Sequence, residues 1–518
     1  MQQGSDLYCG EIPAFLIFPD SIAVDFGVFI GQIMVSFCII GGMKNKMAIS
    51  RRLFLESASF AALSGVAGCR LAGGWGCRMS GEPDVRFGVV SDVHLRTPGD
   101  EDTLVKAFQY FRDQGVDAVL LAGDIADTGL ISELRRCADA WKRVFPCNCG
   151  KDGRHVEKLF IYGNHDIWAS IHIIRKNPDL ARQDAIAYDD ARPARVWEEV
   201  FEEPYSDFWI KHVKGYAFIG AHWTKKDQFD GLADYLRLHA GEIDTSKPFF
   251  YTQHSHPKDT CIGSWAWGRD NGASTRALAA YPNAVAFSGH SHYPLTDERS
   301  VWQESFTSIN AASLRYISVG YSLRENFGGN SHGFRGETRK HLMEQPKTGD
   351  SRHGMLVSVY GGELAIERRD FLANASLGED WLISVPPKGN QSFRARAARR
   401  RPPQFAPDAK LLVRLDGEKR LVLDFPAAKT IDGRRVFEYE ATATLVEDEV
   451  DIVQVQRRVM APDFYKPETQ GGAPGSCVIS LDEIPTKGHT VFSIRPVDCY
   501  GIKGAPLSFS VDTTMFMS

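Results

Sequence analysis

The sequence predicts an α/β domain with parallel strands, followed by an all-β region. Five short apolar runs lie between residues 87 and 287, and turn-forming residues bound each run, as is typical of buried strands. Between the first two runs, apolar residues recur at helical spacing until Gly115 offers a stop, which indicates a β-α-β unit. Beyond residue 404, short alternating runs separated by turn residues favour a β-sandwich.

Each of the five apolar runs, at 87–90, 118–122, 159–162, 249–252 and 284–287, ends directly in polar side chains. The carboxyl ends of parallel strands lie at one edge of a sheet, where ligands bind in the crevice. We therefore expect the side chains that follow the runs to converge there. The side chains expected to meet are Asp92, His94, Asp124, Asn164, His165, His254, His290 and His292.

The chemistry of these eight groups favours a dinuclear metal centre. Carboxylates, imidazoles and one amide oxygen suit borderline divalent metals such as zinc, manganese or iron. Eight groups are too many for one tetrahedral ion, but they suit two ions that share a bridging carboxylate. The glycines at positions 123, 163 and 289 are expected to let the chain turn sharply and bring the side chains close to the ions.

The D-x-H, GDxxD, GNHD and GHxH sequences, with a histidine before the last, together resemble the calcineurin-like metallophosphoesterase superfamily over residues 84–386. The resemblance implies an α/β fold, a four-layer αββα sandwich of two mixed sheets. It also implies a metal-dependent phosphoric ester hydrolase with two divalent ions (Mn, Fe or Zn). Asp92, His94 and His292 would hold the first ion, Asn164, His254 and His290 the second, and Asp124 would bridge both.

The resemblance also implies roles in the chemistry. His165 would donate a proton to the leaving group, and Asp127 would orient and charge His165. His256 remains an alternative to His254, which comes first after its strand. Asp127 stands where the purple acid phosphatase branch has a metal-bound tyrosine, so a tyrosinate-coloured iron site is not expected. The expected reaction is hydrolysis of a phosphate monoester, diester or pyrophosphate by a hydroxide that the two ions share.

Residues near these motifs have weaker interpretations. Segment 261–274 carries Trp265, Trp267, Arg269 and Asn271, which either line the mouth of the cleft or form a packed structural loop. In the first case, the arginine would suit a non-bridging phosphate oxygen. Asp166 is interpreted as a turn residue and not as a catalytic one.

The segment 43–69 is predicted to direct export. Arg51 and Arg52 resemble a twin-arginine signal, and "VAGC" resembles a lipobox that ends in Cys69. The prediction is a periplasmic or cell-surface protein, attached to the membrane only through a lipid anchor at Cys69. Residues 1–42 are expected to be a non-native or unstructured extension, and residues 70–83 a linker.

The carboxyl-terminal part is divided into a basic linker at 387–404 and a β-sandwich at 405–518. The run of arginines in the linker is expected to be solvated. The segment "TVFSIRPVDCYGIKG" resembles the closing hairpin of fibronectin type III modules. Cys477 and Cys499 both lie in this part, and the sequence leaves open whether they pair.

The composition excludes some classes of protein. The hydrophobic content is 43%, the charged content is 24% and the formal net charge is -5, without the basic excess of a nucleic-acid binder. The leading interpretation is an exported phosphoesterase. One alternative is a surface protein that binds a glycan or protein through its β-sandwich and has a vestigial metal site. Another is hydrolysis of a non-phosphate ester, and the oligomeric state stays open.

Overall fold

The computed structural model describes residues 81–225, 229–268, 270–319, 329–330, 349–430, 435–447, 450–468, 472–484 and 488–516. All of them belong to one compact unit that spans residues 74–518. The predicted export signal, with Arg51, Arg52 and Cys69, lies outside the described residues, as does Arg269. Within the described ranges, no helix is both long and apolar enough to cross a membrane.

The described residues form twenty strands, eight α-helices and a π-helical turn at His165–Ala169. The helices are α1 (Glu101–Asp113), α2 (Ile131–Val144), α3 (Ser170–Lys176), α4 (Pro178–Asp184), α5 (Arg192–Phe201), α6 (Leu232–Leu238), α7 (Ala273–Leu278) and α8 (Phe393–Ala397). The strands are β1 (Val85–Val90), β2 (Ala118–Leu121), β3 (Glu157–Phe160), β4 (Phe208–Val213), β5 (Tyr216–Ala221), β6 (Phe249–Thr252), β7 (Ala284–Ser288), β8 (Val301–Gln303), β9 (Thr307–Asn310), β10 (His353–Tyr360), β11 (Glu363–Asp370), β12 (Ala375–Ser376), β13 (Trp381–Ser384), β14 (Leu412–Leu415), β15 (Arg420–Phe425), β16 (Val436–Glu447), β17 (Val450–Met460), β18 (Gly475–Ser480), β19 (His489–Asp498) and β20 (Leu507–Asp512).

The first sheet has seven strands in the order β12-β11-β10-β1-β2-β3, with β13 beside β11. Strands β1, β2 and β3 are parallel, while β10 runs antiparallel to β1. Helix α1 connects β1 to β2, as the β-α-β pattern predicts. It buries Leu104, Ala107, Phe108 and Phe111, which recur at the spacing of one helical face.

The second sheet has six strands in the order β4-β5-β6-β7-β9-β8. Its central strands β5, β6, β7 and β9 are parallel, and the edge strands β4 and β8 are antiparallel to their neighbours. The five predicted strands are therefore divided between two sheets: β1 to β3 lie in the first, and β6 and β7 in the second. Their carboxyl ends nevertheless meet.

The two sheets pack on each other through aromatic side chains. The ring of Phe87 on β1 lies 5.2, 4.9 and 5.8 Å from the rings of Phe218, Phe250 and Phe287 on the second sheet. Ring pairs at these separations stabilise a core beyond their buried area. The prediction of mixed sheets in an α/β region is confirmed, while the complete four-layer arrangement and the domain boundaries stay predictions.

The carboxyl-terminal region consists of antiparallel sheets, as predicted. Strands β14-β15-β18 form one sheet and β17-β16-β19-β20 form another. Cys477 and Cys499 are both buried here, and the two are not joined by a disulfide bond. One continuous apolar core runs from β1 and β10 into these sheets. The likeness to a fibronectin type III module stays a prediction.

The predicted basic linker differs in part from the expectation of a solvated charge run. It contains helix α8, and Arg396 on that helix is only 3% exposed. The guanidinium Nη2 of Arg396 donates to the carbonyl oxygens of Glu298 and Val301 at 2.9 and 2.7 Å. A buried arginine is retained only where such partners satisfy its donors, so this stretch is packed against the second sheet.

Candidate metal centre

Two clusters of candidate ligands lie at the carboxyl ends of β1, β2, β3, β6 and β7. The first consists of Asp92, His94 and His292. The Nε2 atom of His292 is 2.9 Å from Oδ1 of Asp92 and 3.2 Å from Nε2 of His94. These three are the side chains that the resemblance assigns to the first ion.

The second cluster consists of Asp124, His254 and His290. Nε2 of His254 lies 3.0 Å from Oδ2 of Asp124, and Nδ1 of His290 lies 2.9 Å from Oδ1 of Asn164. His256 instead places its Nε2 3.0 Å from the hydroxyl of Ser291. The geometry therefore brings His254, and not His256, to the carboxylate that the two clusters share.

Asp124 faces both clusters. Its Oδ2 is 3.7 Å from Nε2 of His94 and 3.0 Å from Nε2 of His254. Oδ1 of Asp92 is at similar distances, 3.8 and 3.9 Å, from the same two nitrogens. A carboxylate so placed can bridge two cations.

The ring nitrogens that point away from the clusters hold hydrogen bonds that orient the imidazoles. Nδ1 of His94 bonds to the carboxylate of Asp127 at 3.1 Å, Nδ1 of His254 to the carbonyl oxygen of Ala122 at 2.7 Å, and Nδ1 of His292 to the carbonyl oxygen of Tyr316 at 3.2 Å. Because these oxygens only accept, each Nδ1 donates a proton to them, and Nε2 is left as the nitrogen that can bind a metal ion once it has no proton, as in metal-binding histidines.

This arrangement fits a cation. Lone pairs on Nε2 of His94 and His292 face each other at 3.2 Å, and they repel unless a proton or a metal ion lies between them. The donors are imidazole nitrogens, carboxylates and one amide, which is the set that divalent zinc, manganese and iron accept. The described residues therefore contain groups suited to divalent metals.

The electrostatics of the pocket also favour positive charge. Burial opposes the charged form of Asp92, yet the imidazoles of His292 and His254 hold its pKa well below the ordinary value. Burial also opposes the charged form of Asp124, but the imidazole of His254 favours it, and the pKa of Asp124 is lowered. For His94, carboxylate partners outweigh burial and raise the pKa to about 10. The buried carboxylates stay ionised and stabilise a neighbouring cation.

The backbone is strained at the candidate ligands. Five of them have a positive φ, which L-residues other than glycine rarely adopt. Such residues cost on the order of 1 kcal/mol or more each and concentrate at functional sites. The residues and their φ angles are Asp92 (49°), His94 (48°), Asp124 (51°), His290 (66°) and His292 (52°).

The motif glycines allow close approach of the loops. A Cβ at Gly163 would collide with Oδ1 and the backbone nitrogen of Asp124, and a Cβ at Gly289 would collide with Ser91 and Asp92. Only Gly123 of the three motif glycines has a positive φ, at 89°. The expectation of sharp turns is therefore met at Gly123 alone, and the other two glycines serve to leave space.

Asp127 and His165 lie beside the first cluster, where the carboxylate of Asp127 is near the rings of both His94 and His165. The carboxylate of Asp127 binds His94, and it is the backbone carbonyl of Asp127 that accepts from Nδ1 of His165 at 2.8 Å. The His165 backbone N–H donates to Oδ1 of Asp124 at 2.8 Å. The side chain of Asp127 therefore orients His94, and its main chain orients His165.

Asp166 ties two site loops together. It is fully buried, and its carboxylate accepts from the backbone N–H groups of Ile125, Ala126 and Gly163 at 3.3, 2.7 and 2.7 Å. Asp166 is therefore more than a turn residue, because its side chain fixes the loop after β2 to the loop after β3.

The predicted mouth residues are in part structural. Trp267 is only 5% exposed, and the amide of Asn271 donates to Asp230 at 2.9 Å. Arg269 and the side chain of Trp265 lie outside the described part of the chain. The packed-loop alternative therefore fits Trp267, while the role of Arg269 stays a prediction.

Two aromatic residues beside the clusters were missed by the sequence reasoning. The buried ring of Trp223 lies nearly parallel to that of His290, with centroids 6.3 Å apart. Tyr316 is 42% exposed, and its ring centroid is 4.2 Å from that of His292. Trp223 follows the apolar strand β5, so the pattern that identified the other strands could have found it. Tyr316 offers no comparable signal.

Comparison with known proteins agrees with this geometry. Residues 85–294, less than half of the chain, match the model of the calcineurin-like phosphoesterase family. No curated protein matches the chain. A dimetal phosphatase from Danio rerio is 13% identical, with 59% of this chain and 100% of that chain covered at a TM-score of 0.34. Vps29 from Entamoeba histolytica, in complex with zinc, is 10% identical, with 58% and 98% covered at a TM-score of 0.27.

The structure described as an anchor in the inner membrane complex of Plasmodium is 13% identical, with 61% of this chain and 94% of that chain covered at a TM-score of 0.33. At these scores, the structural likenesses carry no weight for function. The family match does carry weight, because residues 85–294 include every candidate ligand together with His165 and Asp127. The part of the chain that holds the site thus matches the model of the calcineurin-like phosphoesterase family, whose members use divalent metals.

Proposed function

We propose that this protein is a dinuclear metal-dependent hydrolase of phosphate esters or pyrophosphates. The observation that supports it is the placement of seven candidate ligands, Asp124 among them, in two neighbouring clusters within the segment that matches the phosphoesterase family. Complete ligand positions argue against a vestigial site, because a site without selection for metal binding would not keep buried carboxylates and strained backbone together.

The residues divide into two ligand sets around a shared carboxylate. Asp92, His94 and His292 would hold one ion, and Asn164, His254 and His290 the other, with Asp124 common to both. Divalent cations bound there would stabilise charge on the phosphoryl oxygens and lower the pKa of water from about 15.7 towards about 7. The candidate ions are Mn, Fe and Zn.

In this proposal, His165 gives the leaving oxygen its proton. Its ring is partly exposed and lies 4.6 Å from the ring of His94, beside the first cluster. Because Nδ1 donates to the carbonyl oxygen of Asp127, the ring has a fixed orientation and its Nε2 can face the substrate. A positioned proton donor of this kind contributes typically about 10²–10⁴-fold to the rate.

A substrate panel tests the proposal. The purified chain, loaded with Mn²⁺, Zn²⁺ or Fe²⁺, is assayed on a nitrophenyl monoester, a bis-nitrophenyl diester and pyrophosphate. We expect hydrolysis of at least one of them and its loss in Asp124→Asn, which removes the shared charge. Metal binding without hydrolysis of any of the three would favour the surface-binding alternative.

We also propose that the protein is exported and anchored by a lipid at Cys69, which the sequence of residues 43–69 supports. In a bacterium with a twin-arginine pathway, the wild-type chain should fractionate with membranes and incorporate labelled palmitate. Cys69→Ser should lose the label, and replacement of both Arg51 and Arg52 by lysine should retain the protein in the cytoplasm. An unlabelled wild-type chain would contradict the anchor.

A further inference from the structure

We infer that the carboxyl-terminal sheets hold the metal-ligand histidines in place, with Arg299 and Phe437 as positioning residues. The inference rests on the proposed function in one respect, since it takes His290 and His292 to be metal ligands. It concerns the segment 293–300, called here the anchor loop, which directly follows His292.

The anchor loop is buried around an internal ion pair. Tyr293, Asp297 and Arg299 are all fully buried. Nε of Arg299 donates to Oδ1 of Asp297 at 2.9 Å and Nη2 donates to Oδ2 at 2.5 Å, a two-point contact that fixes the guanidinium plane. A guanidinium in this position needs close partners on its faces as well, because burying a charge is costly.

Those partners are two aromatic rings. The guanidinium carbon of Arg299 lies 4.4 Å from the ring centroid of Phe437, a fully buried residue on β16 of the carboxyl-terminal sheets. It lies 5.3 Å from the ring centroid of Tyr293, the residue next to His292. Cation–π contacts are stronger when they are desolvated, as these are. The guanidinium therefore contacts both the carboxyl-terminal region and the immediate neighbour of a ligand.

A second set of contacts holds the same loop at Glu298, the residue before Arg299. The hydroxyl of Tyr500 donates to the carboxylate of Glu298 at 3.0 Å, and Arg396 donates to the carbonyl oxygen of Glu298 at 2.9 Å. Both donors come from chain segments more than 90 residues beyond the loop. Phe437, Tyr500 and Arg396 thus all contact the loop from the carboxyl-terminal part of the chain, so a shift of the loop would break its contacts with that part.

The position of the loop matters because metal ligands tolerate little displacement. Productive geometry requires side chains to be held within about 0.5 Å. Loss of a group that orients a ligand typically lowers metal affinity about 10–100-fold. Phe437→Leu removes one face of the guanidinium contact and leaves the ion pair and all candidate ligands intact. We expect it to weaken metal binding about 10-fold.

A matched pair of variants in the full chain tests this. Phe492 on β19 is also fully buried in the sheet that contains β16, and it pairs with Ala443, distant in register from Phe437. Phe437→Leu and Phe492→Leu therefore remove the same volume from the same sheet. Thermal unfolding should show similar losses of stability, while Mn²⁺ titration of the metal-free proteins by calorimetry should show weaker binding only in Phe437→Leu.

Arg299→Lys provides a second probe that keeps the charge opposite Asp297 and removes the planar group that contacts both rings. It should weaken Mn²⁺ binding in the same way, so the test does not depend on the folding of one variant. Equal Mn²⁺ affinity in Phe437→Leu, Arg299→Lys and the wild type would overturn the inference, as would equal weakening in Phe492→Leu. A wild-type chain that binds no Mn²⁺ would instead overturn the proposed metal centre itself.

Discussion

Asp127 shows how one residue can serve two imidazoles through different atoms. Its carboxylate binds Nδ1 of His94, while its carbonyl oxygen binds Nδ1 of His165. A change of the side chain therefore affects the candidate ligand His94 and leaves the main-chain partner of His165 in place. The roles of the two residues can be separated by mutation.

His165→Gln should lower kcat by about 10²–10⁴-fold and leave the metal content unchanged, because it removes a proton donor and no ligand. The measurement is steady-state hydrolysis of nitrophenyl phosphate together with metal analysis of the same preparation. His155→Gln is the control, since the side chain of His155 is 60% exposed and pairs only locally with Glu157. Full activity in His165→Gln would remove this residue from the mechanism.

Asp127→Asn, in contrast to His165→Gln, should weaken metal binding and leave the proposed proton donor in place. The uncharged amide orients His94 less well than the carboxylate does, so we expect Mn²⁺ affinity to fall about 10–100-fold. With saturating Mn²⁺, most of the activity should return, because the carbonyl oxygen that holds His165 is kept. Calorimetric titration and kinetics at two metal concentrations measure this, and an unchanged affinity would show that His94 does not need the carboxylate.

The loops after β2 and β3 form one unit through Asp166. The five patterns of a strand with candidate ligands could be recognised in the sequence because each candidate ligand follows its own strand within four residues, as Asp92 follows β1. Cross-loop contacts such as those of Asp166 join segments 40 or more residues apart and leave no local pattern. The positive φ angles of Asp92 and His290 could not be predicted from the sequence for the same reason, since contacts with other segments impose them.

Asp166→Ala should therefore destabilise the protein strongly. It leaves the N–H groups of Ile125, Ala126 and Gly163 without their acceptor in a buried place. At about 1–3 kcal/mol for each unsatisfied donor, the free energy of unfolding should fall by about 3 kcal/mol or more. Urea denaturation measures this, with Asp139→Ala, at an exposed position of α2, as the control. A loss no larger than that of Asp139→Ala would show that water replaces the carboxylate.

At the scale of the whole molecule, the carboxyl-terminal sheets and the first sheet meet at His353. This histidine begins β10 and is fully buried. Its Nδ1 accepts from the N–H of Leu295 in the anchor loop at 3.2 Å, and its Nε2 donates to the carbonyl oxygen of Tyr465 at 2.9 Å. The sequence predicted two regions but no such junction, because a contact across more than 100 residues has no periodic signature.

His353 should make the fold sensitive to acid. In the neutral form of His353, both ring nitrogens make hydrogen bonds. Burial lowers the pKa of His353 to about 4, although Asp370 opposes the shift. In the unfolded chain the pKa is about 6.5, so the unfolded state binds a proton first as the pH falls. The contribution of His353 to stability is thus complete above about pH 6.5 and is lost progressively towards pH 4.

The pKa of His222 is shifted in the same direction, because burial lowers it to about 3 and Lys211 adds to the effect. The free energy of unfolding should therefore decline below about pH 6.5, by roughly 3 kcal/mol for each histidine at the lower end of that range. In His353→Gln the decline between pH 6.5 and pH 4 should be shallower, since the glutamine amide can satisfy the same two partners and does not titrate. Urea denaturation at several pH values measures both slopes, and parallel slopes would show that His353 binds its proton equally well in the folded and unfolded chains.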